Sequence, residues 1–418
     1  MAQNSSAWAF ACHVSHGDDG SACIVKHDSS GSQVVAVAQT HTTGASADRK
    51  PIFIGINKND KALMMNAVNR EISVLDALPI DAFAMYAYPD PDGSTHWYVH
   101  DGDKNGNDEL NCGTSASSVM IVRNNGTSAE LLKLICPGRG HHVVTFTAPT
   151  VAAPTVPSRA FISNLTDGTI AIVGNDPTDS ATYLNIITSI NLHDADKDKS
   201  APGSIPNGAA PHGMVYSTVT AKIYNLNNGY NSIAVIDPLT NSIVSTIPLP
   251  FSSNLLLSPD ARYALGKGVD RGTNLDHVIG KLSVVDLAKG AVASTIDLPD
   301  FYPSTYRFNP DGSKLYVTSA TTGKGTQKDN VRKNVVLVFD ATALPKLVLL
   351  KEIGVGVANC GRRPVAFLNG LVFVPNPTDG TVSIVNGDDD SVLETVVIGP
   401  GLVTDFNFSY WDGKLYGC

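Results

Sequence analysis

Between residues 207 and 249 hydrophobic and polar positions alternate in four short runs, "HGMVYS", "AKIYNLN", "NSIAVID" and "SIVSTIPL", broken by turn residues such as "PLTN". β-Branched and aromatic residues at period two, bounded by Asn, Pro, Thr and Asp, predict strands and not helices. The stretch predicts one four-stranded meander. The pattern then returns as "LLLSPDARYALGKG" with "GKLSVVDLAKGAVASTIDL", and again as "YRFNPDGSKLYVTSA" with "NVVLVFDATALPKLVLLKEI". A self-similar unit of roughly 40 to 60 residues, four strands each, predicts a β-propeller.

The residues "NPDGSKLYVT", "NSIAVIDPLTNSIVSTIPL", "REISVLD" and "DGTVSIVNGDDDSVLETVVI" carry a resemblance to the YVTN-type β-propeller repeat. It covers nearly the whole chain and speaks to fold, because propellers of this type serve as enzymes, scaffolds and surface proteins. The expected fold is all-β, a single propeller domain over residues 1–418. Inner strands are expected near Ile52, Phe83, His142, His212, Leu255, Tyr306, Val365 and Asp405, giving eight blades, or seven if the short unit at 52–80 is partial. The last blade needs both chain ends. "DFNFS" supplies its inner strand, "SACIVKHD" and "QVVAVAQT" its two outer strands, and "WAFACH" and "KLYGC" both qualify as its middle strand.

Composition fits this picture: 36 Gly and 24 Pro in 418 residues suit many turns, and only 17% of residues are charged. No apolar run of about 18 residues is present to span a membrane. The net charge of −9 without a basic stripe argues against nucleic acid as partner. "MAQNSSAWAF" lacks a charged and then apolar leader, which fits a cytosolic protein or one whose leader has been removed. Six cysteines favour the second, a periplasmic or secreted protein. Cys112 and Cys136 fall in one unit and on one face of the ring; Cys12 and Cys418 lie near the ends that meet at closure. A bridge at closure would constrain the unfolded chain by roughly 4 kcal/mol.

The candidate chemistry is histidine. With Phe146, Tyr216, Leu257, Phe308, Phe367 and Phe408 taken as equivalent, the position four residues earlier holds His142, His212, Ser253, Ser304, Arg363 and Thr404, with Ile52 and Met85 in the two other units. His142 and His212 then share a rung on neighbouring inner strands. His100 ends a second strand, which returns to the same face, and His141, His13 and His16 are further candidates. His100, His142 and His212 form the expected metal set, with an open position for substrate. Copper is the first metal considered. Asp101, Asp103 or Asp108 would fix the rings, Tyr216 or Tyr306 would stand near, and Arg363 would hold an anionic ligand. An imidazole pair could also act as general base and acid without metal.

Bland readings stand beside these. A histidine at a hand-over loop also serves as a structural hydrogen-bonder, and two equivalent ones can be a remnant of the repeat. "DGDKNGNDE" at 101–109 has the composition of a calcium loop without the EF-hand ending, and "HDADKDKSA" at 193–201 reads as a charged surface insertion. There is no G-x-S-x-G elbow, Walker loop, C-x-x-C or C-x-x-C-H. That excludes ordinary covalent haem and leaves non-covalent haem, with His142 or His212 axial and Arg363 on a propionate. The functional expectation is an extracytoplasmic redox enzyme with a metal or cofactor site at one channel mouth, acting on a small molecule. The alternative is a non-catalytic scaffold that binds a protein or polymer through loops 101–113, 193–211 and 320–334.

Overall fold

The computed structural model describes residues 7–13, 21–28, 30–39, 42–45, 52–56, 62–66, 71–75, 84–92, 94–100, 109–124, 129–140, 143–270, 276–319, 327–358, 363, 365–368, 370–376 and 378–397. Among them stand eight antiparallel sheets, one of three strands and seven of four, each with its strands in chain order. In sequence they span 7–39, 42–75, 84–138, 144–191, 211–248, 254–299, 303–354 and 366–397, and are called the first to eighth blades.

Burial falls from the middle of a blade to its rim. Every residue of the third strand Thr169–Gly174 is buried, whereas most of the outer strand Ser242–Pro248 is exposed. The core therefore lies between blades: Leu265, Leu282 and Val284 of the sixth pack with Tyr306, Phe308, Leu315 and Phe339 of the seventh. Each such side chain contributes about 1.5–3 kcal/mol on burial, so these two blades stabilise one another. The turns are built by local chemistry. In "NPDGS", Asn309 Oδ1 accepts from Lys314 N at 2.9 Å, and Gly312 takes the positive φ that the tight turn needs.

The repeat register read from the sequence is the register of the pairing. Phe146, Tyr216, Leu257, Phe308 and Phe367 pair with Ala160, Ile223, Ala264, Leu315 and Val372 on the second strands. Those in turn pair with Val173, Ile236, Val285, Phe339 and Val385. A bulge sits immediately before each of the last five residues in its pairing with the outer strand. Pro89, His96 and Val122 hold the same places in the third blade.

Two expectations change at the N-terminal end. Ile52–Ile56 pairs with both Thr42–Ala45 and Ala62–Asn66, so it is a second strand; Thr42–Ala45 is the inner one and lies against Ala84–Pro89. The inner strand reads "TTGA", too short and too small to show as a strand, which displaced the register by one strand. "WAFACH" pairs with "SACIVKHD" across seven residue pairs and so takes the place beside it. "DFNFS", "KLYGC" and Cys418 lie outside the described residues. The first sheet packs against the eighth and the second, and Ser32 Oγ donates to Glu394 Oε2 of the eighth at 2.7 Å. Cys112 and Cys136 are bridged, tying the segment after the second strand of the third blade to its outer strand.

Candidate ligand site on the hand-over face

Strands that run up and down place the connections between blades on the same face as the turns between second and third strands. His212 stands at that face, in the inner strand Pro211–Ser217 of the fifth blade. Pro211 pairs with Asn227 and Met214 with Asn225, which leaves His212 and Gly213 in a bulge. Gly213 has φ +122°, and a Cβ there would stand 2.9 Å from both Asn254 Oδ1 and Leu255 N, so glycine lets the next inner strand come close. The same bulge leads the seventh blade, where Pro303 pairs with Ser319 and Tyr306 with Val317, and the third, where Ala84 pairs with His100. His212, Ser304 and Met85 are thus equivalent in space.

His212 Nδ1 lies 2.7 Å from the carbonyl oxygen of Ser253, its rung neighbour on the sixth blade. A carbonyl only accepts, so Nδ1 carries the proton, and in the neutral ring Nε2 is the lone-pair nitrogen. This bond is at once a seam between blades and the orienting contact a ligating or basic imidazole requires. The group that orients Nδ1 is a main-chain carbonyl; the aspartates expected for the role lie outside the described residues. Similar seams run elsewhere: Thr145 Oγ1 donates to Met214 O at 2.8 Å, and Thr305 Oγ1 to Arg363 O.

The other expected residues divide. His142, His141, His16, Asp101, Asp103 and Asp108 lie outside the described residues, as do the side chains of His13 and His100. The strand-end position of His100 is held in other blades by Asn164, Asn227 and Asn376, and two of these donate to the threonine that opens the third strand, Asn164 to Thr169 Oγ1 at 2.9 Å and Asn376 to Thr381 Oγ1 at 3.0 Å. Arg363 is 0% exposed, and its guanidinium donates to the carbonyls of Pro375 (2.6 Å), Lys333 (3.1 Å) and Gly356 and to Asn376 Oδ1 (2.8 Å), so it ties the seventh blade to the eighth. Tyr306 is an anchor too: its hydroxyl donates to Leu265 O at 2.6 Å and lies 3.1 Å from Asn254 O, and burial holds its pKa well above the usual phenol value. Among the described residues no group of three His, Cys, Asp or Glu side chains could hold a metal ion.

No family model matches the sequence. A seven-bladed β-propeller protein of Mycobacterium tuberculosis is 29% identical over 139 residues, which is 33% of this chain and 29% of that relative. Solved structures match more widely. Dihydro-heme d1 dehydrogenase NirN in complex with DHE aligns with 91% of this chain and 74% of its own at TM-score 0.59 and 13% identity. The periplasmic gluconolactonase PpgL of Pseudomonas aeruginosa aligns with 96% of this chain and 99% of its own (TM-score 0.56, 13% identity), and apo AztD of Citrobacter koseri with 97% and 98% (TM-score 0.56, 12% identity). The chain is a β-propeller. Identities this low speak to the fold alone.

Three features of this propeller's hand-over face were not read from the sequence. Segment 193–211, expected as a charged surface insertion, is exposed over most of its length and is held by specific bonds. Asp198 accepts from Ser200 N (2.9 Å), Gly208 N (2.7 Å) and Tyr230 OH (3.0 Å), and the backbone bonds hold its carboxyl well below the usual range. Lys197 donates to Tyr230 O and Ser232 Oγ, both at 3.1 Å, closing the segment over the fifth blade. His193, at its start, has a buried Nε2 with no hydrogen-bond partner among the described residues. Lys267, whose carbonyl accepts from Ser253 N at 2.7 Å, holds its ammonium 5.8 Å from the Tyr306 ring centre. Lone Asp, His and Lys in turn-rich sequence carry no periodic signal that would have singled them out.

Proposed function

We propose that this is an extracytoplasmic propeller, one domain over residues 1–418 built on YVTN-type repeats, that binds a cofactor at the channel mouth on the hand-over face and performs redox chemistry on a small molecule. The observation that carries the reading is the His212 Nδ1 to Ser253 carbonyl bond, which turns Nε2 into a donor toward an electron-poor centre. Haem is favoured over copper. A haem would ask this chain for one nitrogen ligand and would supply redox chemistry when bound; His212 would be the residue to hold it. Copper held by protein side chains needs about three donors converging on a point, and would require His100 and His142 as well. Lys267, on the second strand of the sixth blade, is the cation this reading assigns to an anionic ligand group. NirN, a dihydro-heme d1 dehydrogenase, gives the likeness in fold a bearing on cofactor class. The Cys112–Cys136 bridge and the likeness to a periplasmic enzyme support the compartment.

A second reading rests on the rim. Val348, Leu349 and Leu350 of the seventh blade's outer strand and Val392 and Leu393 of the eighth's are each 41–52% exposed, an apolar edge suited to a protein partner. The two readings separate on protein prepared without chelator or affinity tag. Elemental analysis and an absorption spectrum that show near-stoichiometric iron with a haem band, or near-stoichiometric copper, support the channel-mouth site. Protein free of both, unchanged on adding either, leaves the scaffold.

A further inference from the structure

Asp90 opens the turn between the inner and second strands of the third blade, one residue past the register position. The fifth, sixth and seventh blades fill that place with neutral caps: Ser217 Oγ accepts from Thr220 N (3.2 Å), Ser258 Oγ from Tyr263 N (3.0 Å) and Asn309 Oδ1 from Lys314 N (2.9 Å). Asp90 is a carboxylate, and only 6% exposed. Its Oδ2 accepts from Asn175 Nδ2 of the fourth blade at 2.8 Å, across the seam, and from Thr95 Oγ1 at 3.3 Å. Thr95 Oγ1 in turn accepts from Trp97 Nε1 at 3.1 Å, and Asp90 Oδ1 accepts from Asp92 N at 3.3 Å. The charged and titratable groups around it are Asp92 in the same turn, Tyr183 from the fourth blade, and Arg123, which acts on Tyr183 and is paired with Glu130 at 3.0 Å. Among the described residues, burial weighs most on the Asp90 carboxyl, followed by the Asn175 bond, the charge of Asp92 and the Thr95 bond. The seam thus holds a buried carboxylate against neutral donors and one like charge.

We propose that Asp90 is a pH-responsive clasp, through which the seam between the third and fourth blades tightens as the surroundings turn acid. Burial first, and the charge of Asp92 with it, hold the carboxyl above the ordinary aspartate value of 3.8, against the pull of the Asn175 bond. A carboxyl raised in the folded state contributes stability that is full below its unfolded value and is lost as pH rises through its folded value. Above that window the seam carries a buried charge that its neutral donors only partly offset, and it opens more readily. Proton uptake removes the charge while Asn175 keeps an oxygen to donate to.

The test is amide hydrogen exchange between pH 4 and 7, corrected for intrinsic rate, on peptides covering 90–99 and 174–185, with 381–386 of the eighth blade as reference. In wild type, opening at the two seam peptides is expected to fall on acidification, roughly tenfold for each unit by which folding raises the carboxyl, and the reference to stay level. Asp90→Asn, which places at this position the residue that already serves as Asn309 in the seventh blade, is expected to stay closed throughout. Asp92→Asn, which removes only the like charge, is expected to move the midpoint to lower pH. A wild-type seam that opens equally at both ends of the range overturns the clasp. So does a pH dependence that survives in Asp90→Asn, or a midpoint that Asp92→Asn leaves in place.

Discussion

Arg363 shows how far a single side chain's role depends on what surrounds it. A guanidinium with no exposed surface is tolerated because four acceptors, three of them main-chain carbonyls, take its donors. Arg363→Met removes the cation and strands those acceptors, and is expected to lower unfolding stability by about 3 kcal/mol or more in denaturant titrations. Its effect on ligand affinity should be small, since the side chain faces no ligand; a large loss of affinity with unchanged stability would return it to the channel. The sequence placed Arg363 four residues before Phe367, whose pairing with Val372 keeps the repeat register. It could not show that the rung sinks into a seam of carbonyls, because acceptors on the main chain have no letter of their own. His212 was legible for the opposite reason. Two imidazoles, His142 and His212, on equivalent rungs of neighbouring units stand out in the sequence; the bond of His212 to Ser253 O needed the structure.

The bulge that carries His212 is an element-scale device, and Gly213 is its condition. Gly213→Ala would press a methyl against Asn254 Oδ1 and Leu255 N in a backbone region that L-residues avoid. A loss of about 2 kcal/mol or more is expected in thermal or denaturant unfolding, together with weaker ligand binding as His212 moves off Ser253. The third blade has a covalent counterpart. Non-reducing peptide mapping should recover Cys112 and Cys136 as one cross-linked pair, and the double serine variant should lose about 3 kcal/mol. Two alkylated thiols would remove the main support for an oxidising compartment. Most strands were readable, because a second or third strand is buried on both faces and must be apolar throughout, as in Thr169–Gly174. The inner strand Thr42–Ala45 was not, because an inner strand lines the channel, is short, and here consists of Thr, Gly and Ala.

In the whole molecule, blades share cores across their seams, so stability belongs to the ring and not to any one sheet. The first sheet, seated between the eighth and the second, makes a direct prediction. Removing residues 1–39 should abolish the cooperative unfolding transition seen by circular dichroism, and a truncated protein that melts as sharply as the intact one would contradict closure through the N-terminus. The all-β ring was legible because repetition multiplies a weak signal over many units; the ligand was not, because a site is a convergence of a few side chains from distant blades. The central claim is that His212 offers Nε2 to a cofactor at the channel mouth, and its most direct test is a haemin titration followed by absorption. Wild type is expected to give a saturable shift of the main haem band near one equivalent, His212→Ala to lose at least tenfold in affinity, and His277→Ala, which removes an exposed histidine bonded to Asp300, to match wild type. Equal binding by all three proteins, or none by wild type, would contradict the account and leave His212 a hydrogen bond between blades.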